Sequence, residues 1–254
     1  MLLLDRHNQM LELLDKNTRM STNELSSFLK VSTATIRSDL NYLEKEGLIQ
    51  KFHGGAILIE NNSEDITFDH REQLNIDEKK QITSEAVKLI KNDQCILLDA
   101  SSTAVTLAKK LHIFDRLMVV TNGVYTMLAL KDLPNITVIF IGGIITKNSG
   151  SVEGLLGCDL LKKINADLAF VSAHGFTLET GLTDFNIYES ELKKHMLQRA
   201  KKTVALLDHS KLENTSIASF RQANEIDLII TDKTADASVV EKYLKAGTNV
   251  KVCL

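Results

Sequence analysis

The stretch "LSSFLKVSTATIRSDLNYLEKEGLIQKFHGGA", residues 25–56, holds two short helical patterns, a turn and a hairpin. Ser32 stands where a helix N-cap is expected and Gly47 where a helix stops. Between them Ile36, Leu40 and Leu43 recur at i, i+4 and i+7, which places them on one helix face. Ala34, Ser38 and Asn41 fall opposite, with Arg37 on the flank. The preceding helix opens at Ser21, because Glu24 three residues on completes the spacing of a capping box, and its buried side reads as Leu25, Phe28 and Leu29. Upstream, Asp5 opens a first helix whose apolar face uses Met10, Leu11 and Leu14. Downstream, two short runs around Gly54 and Gly55 predict a β-hairpin. Three short helices followed by a hairpin describe a winged helix-turn-helix.

Such a module reads DNA with its third helix. Ser32, Thr33, Ala34 and Thr35 are small enough to let the backbone approach a major groove, and Arg37 has the reach for phosphate or guanine. Ser38 and Asn41 share the exposed face, and Lys51 and His53 on the hairpin face the neighbouring DNA backbone. Bulk charge does not announce this role: residues 1–58 hold seven Lys/Arg against seven Asp/Glu. The motif is more specific than the charge. Val31-Ser32, Thr35 to Leu40, Leu43-Glu44, Gly47 and His53 to Ala56 resemble the N-terminal domain of the DeoR family of bacterial transcriptional regulators. Ser38 stands where that family usually carries a second arginine, and Lys51 where arginine is commoner. The resemblance implies double-stranded operator DNA as a partner.

The pattern changes after residue 60. Residues 1–60 form the DNA-binding domain in this reading, the polar stretch 61–75 a linker, and 76–254 a second domain. In the second domain apolar runs at 95–99, 117–121, 136–141, 168–173, 203–207, 227–231 and 249–253 alternate with helical stretches. That alternation predicts a mostly parallel α/β sheet covered on both faces. Ligands bind beyond the carboxyl ends of such strands, so the residues after each strand carry the functional reading. Ser101, Ser102 and Thr103 lead into a helix N-terminus, where free N–H groups suit a phosphate, and Lys211 offers a counter-charge. Asn122, Gly143 and Gly175 follow other strands.

This half also resembles the DeoR family, on Asp99 to Thr103, Thr121 to Gly123, Gly142-Gly143, Gly154, Gly175, Gly181 to Thr183, Glu191 and Asp208-x-Ser210-Lys211. The resemblance implies an effector domain similar in fold to ribose-5-phosphate isomerase and the CoA-transferases, sensing a phosphorylated sugar. It carries phosphate binding to Ser101, Ser102, Thr103 and Lys211, and pocket lining to Asn122, Gly143 and Gly175. The alternative is a working sugar-phosphate isomerase with an accessory helix-turn-helix. Its general base would come from Asp99, Asp208 or Glu191, while His174 and His209 read as exposed loop histidines.

Composition narrows the rest. The 254 residues are 44% hydrophobic and 25% charged with net charge −3, which suits a globular chain and excludes disorder throughout. Cys95, Cys158 and Cys253 are scattered and odd in number, with no CxxC pair, so neither a zinc site nor a disulfide framework is indicated. No run approaches the roughly 20 apolar residues of a membrane span. The expectation is a cytoplasmic regulator without cofactor or catalytic residues, working as a homodimer or tetramer because operators present paired half-sites. The resemblance implies that it represses a carbohydrate-use operon until a sugar phosphate releases it.

Overall fold

A computed structural model of the chain describes residues 3–17, 19–45, 49–52, 54–58, 68–145 and 150–253. Contacts divide it into two units, Met1–Leu74 and Asn75–Leu254. The first contains α1 (Leu3–Asn17), β1 (Arg19–Ser21), α2 (Thr22–Leu29), α3 (Thr33–Lys45), β2 (Ile49–Phe52), β3 (Gly55–Leu58) and α4 (Phe68–Gln73). Met10, Leu11 and Leu14 of α1 meet Leu25 and Leu29 of α2, Ile36, Leu40 and Leu43 of α3, and Ile49 and Ala56 of the hairpin.

Local chemistry explains these elements. The capping box forms as the spacing predicts: Glu24 N–H donates to Ser21 Oγ at 3.2 Å, and Ser21 N–H donates to Glu24 Oε2 at 2.7 Å. Helix α2 ends at Lys30, whose φ of 54° turns the chain toward α3. Ser32 caps α3, its Oγ accepting from Thr35 N–H at 3.1 Å. The expected stop at Gly47 lies outside the described residues.

Two expectations need correction here, and a third, the hairpin, forms as predicted but gains a strand. Phe28 is not core; it is 64% exposed. The buried side of α2 is Thr22, Leu25 and Leu29, and Phe28 sits about 100° round the helix from Leu29. The hairpin is part of a three-stranded sheet in the order β1-β3-β2, because Arg19–Ser21 pairs antiparallel with β3. Gly55 permits that pairing: a Cβ there would meet Met20 O at 2.3 Å. The stretch 61–75 is not linker throughout, since Phe68–Gln73 is helical and Phe68 is buried.

The second unit runs α5 (Ile76–Ala86), β4 (Cys95–Leu98), α6 (Ser102–Ala108), β5 (Leu117–Thr121), α7 (Val124–Leu130), β6 (Ile136–Phe140), β7 (Ile144–Ile145), β8 (Val152–Glu153), α8 (Cys158–Leu161) and β9 (Ala166–Val171). It continues with β10 (Gly175–Thr177), β11 (Gly181–Asp184), α9 (Ile187–Leu197), β12 (Ala200–Leu206), β13 (Ala218–Arg221), β14 (Leu228–Thr231), α10 (Ala237–Lys245) and β15 (Val250–Val252). Seven strands form one parallel sheet in the order β15-β14-β12-β9-β4-β5-β6. All seven strands expected from the apolar runs are present.

Both faces of the sheet are dry, which explains the continuous apolar runs. Leu97, Ala169, Val171 and Ala205 point into one core, and Ile96, Leu98, Leu168, Phe170, Val204 and Leu206 into the other. The chain builds outward from β4 through β5 to β6, then returns to place β9 on the other side of β4. The strand order therefore reverses between β4 and β9, and open α/β sheets bind their ligands beyond the carboxyl ends of the strands at such a point.

Candidate nucleic-acid interface and effector site

In the first unit, α3 turns Ser32, Ala34, Arg37, Ser38 and Asn41 to solvent, with Thr33 and Thr35 half-buried at its start. Arg37 makes no hydrogen bond or ion pair with the described residues, so its guanidinium is available. Lys51 is engaged. Its Nζ donates to Asn41 Oδ1 at 2.6 Å and pairs with Glu44 Oε2 at 2.7 Å, and its N–H donates to Glu44 Oε1 at 3.2 Å. The Lys51 contact holds the Glu44 carboxyl below its usual range. Lys51 thus ties the wing to the recognition helix. Between them lies a cleft of about 480 Å³, whose lining includes Arg37, Asn41, Lys51, Thr22 and Asn23. His53 lies outside the described residues.

Two features of this face were not read from the sequence. Arg19 on β1 is exposed and lies 5.2 Å from the centre of the Phe52 ring, adding a cation beside the wing. Asp39 is buried on the inner side of α3 and takes hydrogen bonds from Arg6 Nε at 2.6 Å and Arg6 Nη2 at 3.0 Å, with His7 Nε2 at 3.1 Å. A helical wheel contains the signal, since Asp39 falls about 40° from Leu43, at the edge of the apolar face.

In the second unit, all seven expected effector residues lie on segments that follow carboxyl ends of the sheet. The structure uses them in different ways. Ser101 caps α6: its Oγ accepts from Ala104 N–H at 3.1 Å and donates to Asp99 Oδ1 at 2.5 Å. Ser102 and Thr103 form the first turn of α6 and are buried. Asn122 is buried, and its Nδ2 donates to Ser151 Oγ and Val152 O, both at 3.1 Å. Gly143 is exposed; a Cβ there would meet Glu153 O at 2.7 Å. Asn122 and Gly143 therefore meet at β8 and position the β7–β8 ribbon. Gly175 serves backbone packing, because a Cβ would meet Asn214 O at 2.4 Å. Lys211 is half-buried in a turn that Asp208 caps through Ser210 N–H at 3.1 Å.

The switch point holds a cluster that sequence reading missed. Asp99 is fully buried and accepts from Ser101 N–H at 3.2 Å and from Ser172 N–H at 3.1 Å, joining the loops after β4 and β9. The buried Lys193 of α9 lies 2.7 Å from Asp184, 3.2 Å from Asp99 and 3.3 Å from Glu189. Burial alone would discharge the lysine, but Asp184, Glu189 and Asp99 keep its pKa well above the ordinary value. Burial likewise opposes the charge on Asp208, and Lys211, Ser210, Lys79 and His209 outweigh it, leaving the carboxyl below its usual range. Asn75 Nδ2 also donates to Asp208 at 3.0 Å.

The isomerase candidates are accounted for by these contacts. Asp99 and Asp208 hold loops, and Glu191 is exposed, 3.9 Å from Lys194. His209 is half-buried rather than a solvated loop histidine, hydrogen-bonded to Thr234 Oγ1 at 2.7 Å. Among the described residues no group of His, Cys, Asp and Glu gathers as a metal site, and no helix is long and apolar enough to cross a membrane.

Residues 6–62 match the DeoR-like helix-turn-helix domain, and residues 74–233 match the DeoR C terminal sensor domain. The chain is 51% identical to the HTH-type transcriptional regulator GolR of Listeria innocua over 98% of both chains. It is 33% identical to the HTH-type transcriptional regulator GlpR of Haloferax volcanii, again over 98% of both. It is 25% identical to the Glycerol-3-phosphate regulon repressor of Escherichia coli K12 over 98% of both. Among solved structures, ribose 5-phosphate isomerase A of Methanocaldococcus jannaschii superposes with a TM-score of 0.41 at 21% identity, covering 54% of this chain and 55% of that one.

Proposed function

The chain belongs to the DeoR family of DNA-binding transcriptional regulators, and from that premise we propose that it represses a carbohydrate-use operon and is released by a phosphorylated sugar. It is a regulator rather than an enzyme. Relatives named for the aga operon and for the glycerol-3-phosphate regulon support the carbohydrate reading. The observation that carries the effector reading is the switch point. There Asp99 ties the loops after β4 and β9, and the half-buried Lys211 follows β12, the next strand over. Ser102, Thr103 and Lys211 are the residues assigned to the phosphate. Ser101 supports them by capping α6, and Asn122, Gly143 and Gly175 shape the surrounding loops.

On the DNA side, Ser32 to Thr35, Arg37, Ser38 and Asn41 face the major groove, and Lys51 and His53 the adjoining backbone. Effector binding favours an arrangement of subunits in which the paired winged helices no longer match the half-sites, and a coupling of about 1–3 kcal/mol gives release. The test is fluorescence anisotropy on DNA from upstream of the gene, with non-specific competitor and a panel of sugar phosphates. Specific binding relieved by one sugar phosphate is expected. Binding that no member of the panel relieves removes the effector reading, and absence of specific binding removes the operator assignment.

A further inference from the structure

We propose that the β7–β8 ribbon and the start of α9 form the face through which two copies of this chain pair. Six large apolar side chains crowd this part of the second unit, each between 53% and 78% exposed: Ile144, Ile145, Leu155, Leu156, Ile187 and Tyr188. They are neighbours through a short chain of contacts. Ile144 pairs with Glu153 across the ribbon, Glu153 accepts from Asn186 Nδ2 at 2.8 Å, and Asn186 caps the helix that begins at Ile187. Leu155 and Leu156 follow directly after β8.

Area and charge both favour a second copy as the occupant. At the size of such side chains the six leave on the order of 700 Å² in water, more than the ~300–600 Å² usual for the largest patch on a monomer and near the ~800 Å² each partner of a stable pair buries. The described residues 141–145, 150–157 and 185–188 contain one charged side chain, Glu153, and it is buried against Asn186. Covering these described residues strands no charge. The face is also complementary to itself, as a two-fold interface requires, whereas a charged face meeting its own copy repels. Each chain carries one recognition helix, so two half-sites call for two chains. The proposal stands apart from the effector reading: a failed effector response with unchanged mass bears on that reading alone.

The experiment is sedimentation velocity of the full chain across the micromolar range, on wild type, Leu156→Glu, Tyr188→Glu and a control, Ile113→Glu. Ile113 is 62% exposed and lies outside this face. Wild type is expected to sediment as a dimer or a multiple of one. Leu156→Glu and Tyr188→Glu raise the dissociation constant by roughly tenfold or more, with unchanged thermal melts, while Ile113→Glu has no effect. Should either glutamate variant fail to fold, Leu156→Ser and Tyr188→Ser carry the same comparison. A monomeric wild type, ribbon variants with wild-type mass, or equal dissociation by Ile113→Glu overturns the proposal.

Discussion

Arg6 and Asp39 are joined by two hydrogen bonds between α1 and the inner face of α3, at 2.6 and 3.0 Å. His7 adds a third contact to the same carboxylate at 3.1 Å. Arg37 and Asn41 lie two residues either side of Asp39, which puts them about 160° round the helix from it. The staple thus sets which face of α3 is offered to DNA. Asp39→Ala leaves the half-buried Arg6 without its partner and is expected to cost ~1–3 kcal/mol in urea unfolding. Arg37→Ala is expected to shift stability by less than ~0.5 kcal/mol while weakening operator binding by ~1–3 kcal/mol. Equal stability losses for the two variants would refute this division of roles.

The same carboxylate gives the first unit an acid limit. Burial opposes the charge on Asp39, but the hydrogen bonds from Arg6 and His7 prevail, and its pKa is lowered. A depressed folded pKa stabilises fully above the unfolded carboxylate value and is lost as pH falls through the folded one. Thermal melts of wild type should therefore decline more steeply below about pH 4 than melts of Asp39→Asn. Parallel pH profiles would show that Asp39 carries no linkage.

Lys51 is shared between the wing and α3 through Glu44 and Asn41. A phosphate must compete with Glu44 for this ammonium. Glu44→Gln is expected to tighten binding several-fold at low salt, on operator and random DNA alike. Lys51→Ala is expected to weaken both and to reduce the slope of log affinity against log salt by about 1. A change confined to the operator would make Lys51 a reader of bases instead.

Lys193 and Lys194 are adjacent on α9 and differ wholly in surroundings. Lys193 is surrounded by Asp184, Asp99 and Glu189, whereas Lys194 is exposed, 3.9 Å from Glu191. Lys193→Met leaves three carboxylates facing one another in a dry site and is expected to destabilise by ~3–5 kcal/mol. Lys194→Met is expected to cost under ~0.5 kcal/mol. Chemical denaturation distinguishes them, and similar values for both would contradict the cluster's structural role.

The contrast between these lysines also shows what the sequence makes legible. Strands buried on both faces announce themselves as apolar runs, so all seven sheet strands and their carboxyl ends were readable. The start of β12 was not, because Lys201 and Lys202 extend the strand through exposed residues, and Lys201 pairs with Asp167 on the neighbouring strand at 2.8 Å. Short antiparallel pieces such as β1, β10 and β11 have too few residues for a period of two to register. Charged groups buried by tertiary contacts were the least legible. Lys193 looks like a solvated residue until the fold brings Asp99 to it, and Asp39 is betrayed only by its place at the edge of the apolar face of α3. Gly175 shows another limit: the family resemblance gives it to the pocket lining, and only the fold shows that the backbone of Asn214 leaves no room for a Cβ there.

The most direct measurement is the operator dissociation constant with and without saturating sugar phosphate, for wild type and Lys211→Ala. Wild type is expected to lose at least tenfold in affinity when effector is added, about 1.4 kcal/mol of coupling. Lys211→Ala is expected to bind operator as wild type does and to ignore the effector. A Lys211→Ala response equal to that of wild type, or a wild type indifferent to every sugar phosphate, would contradict the account.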